Sequence, residues 1–143
     1  MRPAAAGERL VLMERIRQYF EQHPGAVNAL IYCYIVFAGC VVFPLGNARN
    51  SPDLMKAYLV LASYGTIGAT LAIRYGPGRK KRVWGITLLL TMAGLIFRYL
   101  LEYGEVSNTL NFTVPGVLSY LLLIPVLTLS VYHLTVRHLL RKP

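Results

Sequence analysis

The sequence of 143 residues has few of the side chains from which catalytic and metal sites are built: six Asp and Glu, three His and two Cys. Cys33 and Cys40 are seven positions apart in one predicted helix, so they cannot form a disulfide without distorting it. They also lack the C-x-x-C spacing of a disulfide-exchange site. His133 and His138 point about 140° apart around a helix, which excludes a metal shared from one helix face. We therefore expect neither a metal nor a cofactor.

Charged residues make up only 15% of the chain and are almost absent from four long apolar stretches. The stretches cover 26–45, 57–73, 83–101 and 114–136. Each is close to the length of about 20 residues that a helix needs to cross the hydrocarbon core of a bilayer. Every charged residue except Arg98 lies outside them, as expected because a charge at the bilayer centre costs several kcal/mol. The sequence therefore predicts an all-α fold: an integral membrane four-helix transmembrane bundle with short loops.

Lys and Arg are distributed unequally between the two predicted sides of the membrane. The two tails and the loop 74–82 contain 12 of them, whereas the two opposite loops contain 2. Because basic residues favour the cytoplasmic side, we predict that both termini are cytoplasmic and that the membrane is a plasma or inner membrane. The basic run of this loop should contact anionic lipid headgroups rather than nucleic acid, since it lies against the membrane. Its members are Arg79, Lys80, Lys81 and Arg82.

The predicted domain organisation is simple. Residues 1–25 form a cytoplasmic tail, 26–136 the transmembrane domain, and 137–143 a second, basic cytoplasmic tail. Within the first tail, apolar residues at helical spacing predict an amphipathic helix on the membrane surface, the alternative being a lead-in turn to the first span. These residues are Leu12, Ile16, Tyr19 and Phe20.

Small residues line one side of the second span. They are Ala62, Gly65, Ala69 and Ala72, and Gly68 lies beside them. We call these four the small-residue stripe. Small side chains allow two helix backbones to approach closely, which is how helices associate in lipid. The stripe should therefore face another helix, either in the same chain or in a second subunit.

Polar residues line one side of the third span. Thr87, Thr91, Gly94 and Arg98 share a helix face that reaches Glu102 one turn later. Lipid would not tolerate such a face, so it should turn toward the bundle interior, a partner or a wet cavity. Arg98 then has two interpretations. It extends to the membrane interface and pairs with Glu102, or it lines an outward-facing pocket for an anionic group such as a phosphate or a carboxylate. The candidate binding residues are Thr87, Thr91, Arg98 and Glu102.

The fourth span contains Pro125, which removes one backbone hydrogen bond and predicts a kink. Such a kink serves either helix packing or gating. Three polar residues line one face beyond it, namely Thr128, Tyr132 and Thr135.

Three classes of function fit these features. The one that we favour is a non-catalytic accessory, assembly or interaction subunit that works through helix packing in the bilayer, with lipids and either itself or another membrane protein as partners. The second is a small homo-oligomeric channel or transporter that uses the polar face of the third span. The third is a membrane enzyme acting on a lipid or a quinone, but no catalytic constellation stands in or beside the spans. We expect no enzymatic activity.

Overall fold

The computed structural model describes Arg15, Gln18, Tyr19 and the ranges 21–45 and 54–139. Every long element in this part is a helix: α1 is Pro24–Val42, α2 Leu54–Tyr75, α3 Lys80–Leu101, α4 Val106–Asn111 and α5 Val114–Leu139. All but α4 are long and apolar enough to cross a membrane. The predicted all-α fold with four such helices is confirmed. The predicted amphipathic segment falls mostly outside the described residues, as does the loop between α1 and α2.

The helix ends differ from the predicted span ends by up to three residues. The helix α3 already begins at Lys80, so three of the four basic residues lie in its first turn rather than in a loop. The apolar run of a sequence ends where polar residues begin, whereas a helix ends only where the backbone leaves the helical conformation. Between α2 and α3 the helical conformation is interrupted at Gly76, Pro77 and Gly78. The helix α1 likewise ends shortly before a proline, Pro44, because proline disfavours helical backbone in the residue before it.

Contacts divide the chain into two units, 1–32 and 33–143. In the first unit, the imidazole of His23 stacks on the ring of Tyr19, with 4.4 Å between ring centroids. Its Nδ1 atom is also 3.0 Å from the Tyr19 carbonyl oxygen. These contacts hold the residues that immediately precede α1.

In the second unit, α1 and α3 cross where a glycine of each helix faces the other. A Cβ atom placed on Gly94 would collide with the Val36 carbonyl oxygen and would lie 2.9 Å from the Cα atom of Gly39. A Cβ atom on Gly39 would lie 3.1 Å from the Thr91 carbonyl oxygen. The two backbones therefore touch, and no larger residue fits at Gly94 without separating the helices.

A second close crossing joins α2 to α5, which also packs against α3. A Cβ atom placed on Gly68 would lie 2.7 Å from the carbonyl oxygen of Thr128 and 3.2 Å from the backbone nitrogen of Tyr132. The buried face of α2 includes Tyr64, Ile67, Gly68 and Leu71. Each of the four long helices thus takes part in a crossing at which a glycine lets two backbones meet.

Aromatic side chains fill the interior between these crossings. Tyr64 and Tyr120 are fully buried, and their hydroxyl oxygens are 3.1 Å apart. Phe43, just beyond α1, packs against Tyr120 with 5.3 Å between ring centroids. It also packs against Phe112, between α4 and α5, at 4.8 Å. This cluster joins α1, α2 and α5 through close ring contacts.

The hydrogen bond between Tyr64 and Tyr120 should be detectable as an energetic coupling. Tyr64→Phe should lower the free energy of unfolding by about 1 kcal/mol, because the Tyr120 hydroxyl stays buried after losing this partner. In a Tyr120→Phe background the same replacement should cost less, with a coupling of about 0.6 kcal/mol or more. Unfolding titrations of the four proteins in detergent micelles measure this difference. Strictly additive costs would contradict a hydrogen bond between the two side chains.

Candidate functional site

The polar face of α3 turns inward. Thr87 and Thr91 have no exposed surface, and Gly94 lies at the crossing with α1. The Thr91 hydroxyl neighbours that of Tyr64, but among the described residues neither the Thr87 nor the Thr91 hydroxyl has a hydrogen-bond partner. Both threonines are therefore enclosed by the chain itself, and a ligand could reach them only if these helices separated.

Arg98 connects the end of α1 to the end of α3. Its Nη2 atom forms an ion pair with Glu102, one turn later in the chain. Its Nη1 atom donates a hydrogen bond of 3.4 Å to the carbonyl oxygen of Cys40. In a continuous helix this carbonyl would accept from the residue four positions on, but that residue is Pro44, which has no N–H. Arg98 thus supplies a donor that α1 lacks.

Glu102 extends the same network to α4. Its Oε2 atom accepts a hydrogen bond of 3.2 Å from Nδ2 of Asn111, while Oε1 faces Arg98. Nearby, the Asn108 side chain donates to the Tyr99 carbonyl oxygen at 3.2 Å. We call the connected set Cys40, Arg98, Glu102 and Asn111 the Arg98 network. It ties three helices together at one end of the second unit.

Of the two interpretations of Arg98, these contacts favour the one in which it extends toward the membrane interface and pairs with Glu102. Glu102 neutralises the guanidinium, and the Arg98 side chain is 29% exposed. The Nε atom of Arg98 is buried and has no hydrogen-bond partner within the described part of the chain. A cleft of about 670 Å³ lies at the same end, but its walls include neither Arg98 nor Glu102. The binding role of Thr87, Thr91, Arg98 and Glu102 stays a prediction.

The small-residue stripe of α2 is only partly used within the chain. Ala72 is fully buried, but Ala62 is exposed, and Ala69 is half-buried. A Cβ atom on Gly65 would meet nothing within 4 Å among the described residues, whereas Gly68 makes the close crossing with α5. The part of the stripe around Ala62 and Gly65 therefore remains open, and its pairing with another helix stays a prediction.

A side chain of α5 holds the turn that presents the basic run. Gly76 and Gly78 have φ values of 65° and 88°, which residues with a side chain rarely adopt. The Tyr132 hydroxyl donates to the Gly76 carbonyl oxygen at 2.6 Å and accepts from the Arg79 backbone N–H at 3.2 Å. The turn between α2 and α3 is therefore anchored to the last helix.

The members of the basic run have different surroundings. The guanidinium carbon of Arg82 lies 5.3 Å from the centre of the Tyr75 ring, a cation–π contact. Lys80 instead lines a cleft of about 420 Å³ together with residues of α5. Sequence reasoning treated the run as one unit and left out His133 and Arg137, which line the same cleft. Both residues lie near the end of the last predicted span, on the same predicted side of the membrane as the basic run, and this position could have indicated that they lie near it. Headgroup contact by the run stays a prediction.

No group of three or more His, Cys, Asp or Glu able to hold a metal occurs among the residues that the structure describes. Comparisons of this chain with known protein families, curated proteins and solved structures find no match. The functional argument therefore rests on the sequence and the geometry of this chain.

Proposed function

We propose that this protein is a non-catalytic subunit of the plasma or inner membrane that associates, through helix packing in the bilayer, with a second copy of itself or with another membrane protein. Four helices are long and apolar enough to cross a membrane. The excess of Lys and Arg in the two tails and in residues 74–82 supports cytoplasmic termini.

The observation that carries the proposal is the open side of α2. The chain uses Gly68 for its own crossing with α5 and leaves Ala62 exposed and Gly65 without a near neighbour among the described residues. Thr66, on the same side, satisfies its hydroxyl by donating to the Ala62 carbonyl oxygen at 2.7 Å. The side chains of this surface are thus small, and the Thr66 hydroxyl already has a hydrogen-bond partner. Both properties favour close contact with another helix.

The channel or transporter alternative has weaker support. Thr87 and Thr91, on which a polar pathway would rest, are fully buried. The crossing at Gly39 and Gly94 brings the α1 and α3 backbones into contact beside them. A pathway along this face would therefore require the chain to open where two backbones touch.

Native mass measurement after extraction in mild detergent tests the proposal. The wild-type protein should appear as a discrete homo-oligomer or together with another membrane protein. Gly65→Leu should weaken this association, because a large side chain keeps two backbones apart. Gly85→Leu is the matched control, since Gly85 also has nothing within 4 Å of a Cβ atom but lies on α3. A wild-type protein found only as a monomer would contradict the proposal, and equal assembly in both variants would contradict the role of α2.

A further inference from the structure

A cleft opens between the turn that follows α2 and the last turns of α5. Its volume is about 420 Å³. The lining residues are Pro77, Gly78, Lys80, His133, Val136 and Arg137. Three of these six have nitrogen donors on their side chains, and none has a carboxylate. The cleft is therefore chemically suited to an anion.

The walls of the cleft are held in place by the fold. The Tyr132 hydroxyl bonds to both sides of the turn, at the Gly76 carbonyl oxygen and the Arg79 N–H. Tyr132 itself is buried, so α5 and the turn keep a constant spacing. Gly78 adopts a φ value of 88° and contributes no side chain to the opening. The cleft thus belongs to the packed structure rather than to a loose loop.

Among the described residues of the unit 33–143, no carboxylate lies near the positive charge of the cleft. In the unit 33–143, the described carboxylates are Glu102 and Glu105, which follow the far end of α3. A helix of 22 residues separates them from Lys80, or about 33 Å at 1.5 Å per residue. That distance is several times the screening length of about 8 Å at physiological salt. Lys80 and Arg137 therefore lack a carboxylate partner on the described elements that form the cleft.

We infer that this cleft binds a phosphate group and that the headgroup of an anionic phospholipid supplies it. The guanidinium of Arg137 can donate two parallel hydrogen bonds to a phosphate, Lys80 adds a compact charge, and His133 adds a ring donor. The cleft lies at the ends of two helices of membrane-spanning length, where phospholipid headgroups are found. The inference rests on membrane insertion, not on association with a partner.

The inference separates Lys80 from the rest of the basic run. Arg82 is engaged with the Tyr75 ring, and neither Arg82 nor Lys81 lines the cleft. A merely electrostatic attraction to the membrane would weigh every basic residue near the surface about equally. If the cleft is a specific site, Lys80 and Arg137 must contribute more to the affinity for the lipid than Lys81 and Arg82.

Lipid binding to the purified full-length protein tests this. Native mass measurement with added phosphatidylglycerol should show bound lipid in the wild type, and much less with phosphatidylcholine. The double variant Lys80→Gln, Arg137→Gln should bind phosphatidylglycerol about 100-fold more weakly, since each lost charge-assisted hydrogen bond contributes about tenfold. The variant Lys81→Gln, Arg82→Gln removes the same charge and should retain most of the affinity. Thermal unfolding without added lipid checks that both variants are folded.

Each of the other results has a definite meaning. Equal losses in the two double variants, or equal binding of the two lipids, would overturn the site. Displacement of the lipid by inorganic phosphate at similar concentrations would keep the phosphate chemistry but overturn the choice of a lipid. Loss of lipid binding in the Lys80 and Arg137 variant with unchanged oligomeric state would leave the proposed association intact. The two proposals can therefore fail separately.

Discussion

Gly94→Ala should be among the most destabilising single replacements in the chain. The added methyl group would collide with the Val36 carbonyl oxygen and would lie 2.9 Å from the Gly39 Cα atom and 3.0 Å from the Cys40 nitrogen. All three are backbone atoms, so no side chain can move aside, and the two helices must separate. Overpacking of this kind costs about 1 to 3 kcal/mol or more. The measurement is the free energy of unfolding in detergent micelles.

Gly85→Ala is the matched control on the same helix. A Cβ atom at Gly85 meets nothing within 4 Å among the described residues. Alanine is also the better helix former by about 1 kcal/mol, so this variant should be as stable as the wild type or more stable. The pair on α2 should behave in the same way, with Gly68→Ala destabilising and Gly65→Ala not. Similar stabilities for Gly94→Ala and Gly85→Ala would contradict the close crossing of α1 and α3.

Arg98→Leu should loosen the link between the end of α1 and the end of α3. The replacement leaves the Glu102 carboxylate, which is 12% exposed, with only Asn111 as a partner in the Arg98 network. It also leaves the Cys40 carbonyl oxygen without the donor that replaces the missing N–H of Pro44. The expected loss in the free energy of unfolding is about 1 to 3 kcal/mol. It is smaller than for a fully buried ion pair, because solvent screens the partly exposed Arg98. Amide hydrogen exchange in the last turn of α1 should become faster.

The double variant Arg98→Leu, Glu102→Leu separates an ion pair from a ligand site. When both charges are removed, no unpaired carboxylate remains, so its stability should lie closer to the wild type than that of Arg98→Leu. If instead Arg98 serves only to bind an anionic ligand, both variants should keep the stability and the amide exchange of the wild type. That second pattern would contradict a structural role for the Arg98 network.

The number of long helices was predictable because a bilayer imposes a length on apolar runs, and α1, α2, α3 and α5 meet it. The pairing of Arg98 with Glu102 was predictable because residues four apart meet on a helix. The short helix α4 was not predicted, because its six residues carry no hydrophobic period long enough to detect.

The choice between faces of a helix was harder to predict. Small residues occur on two sides of α2. Because lipid and the protein interior are both apolar, the sequence does not indicate which side is buried, or that Gly68 rather than Gly65 contacts α5. The contact between Tyr132 and Arg79 joins residues 53 positions apart, and no local pattern signals it. The cleft around Lys80 depends on that contact, so neither its shape nor the participation of Arg137 was predictable.

Photo-crosslinking in intact membranes tests the proposed association most directly. A photo-reactive amino acid in place of Ala62, which is exposed on the open side of α2, should yield a discrete crosslinked protein. The same amino acid in place of Leu89, which is 67% exposed on α3, should react with lipid instead. Protein crosslinks from position 62 that Gly65→Leu abolishes are the predicted result. Lipid adducts alone from both positions would contradict association through α2.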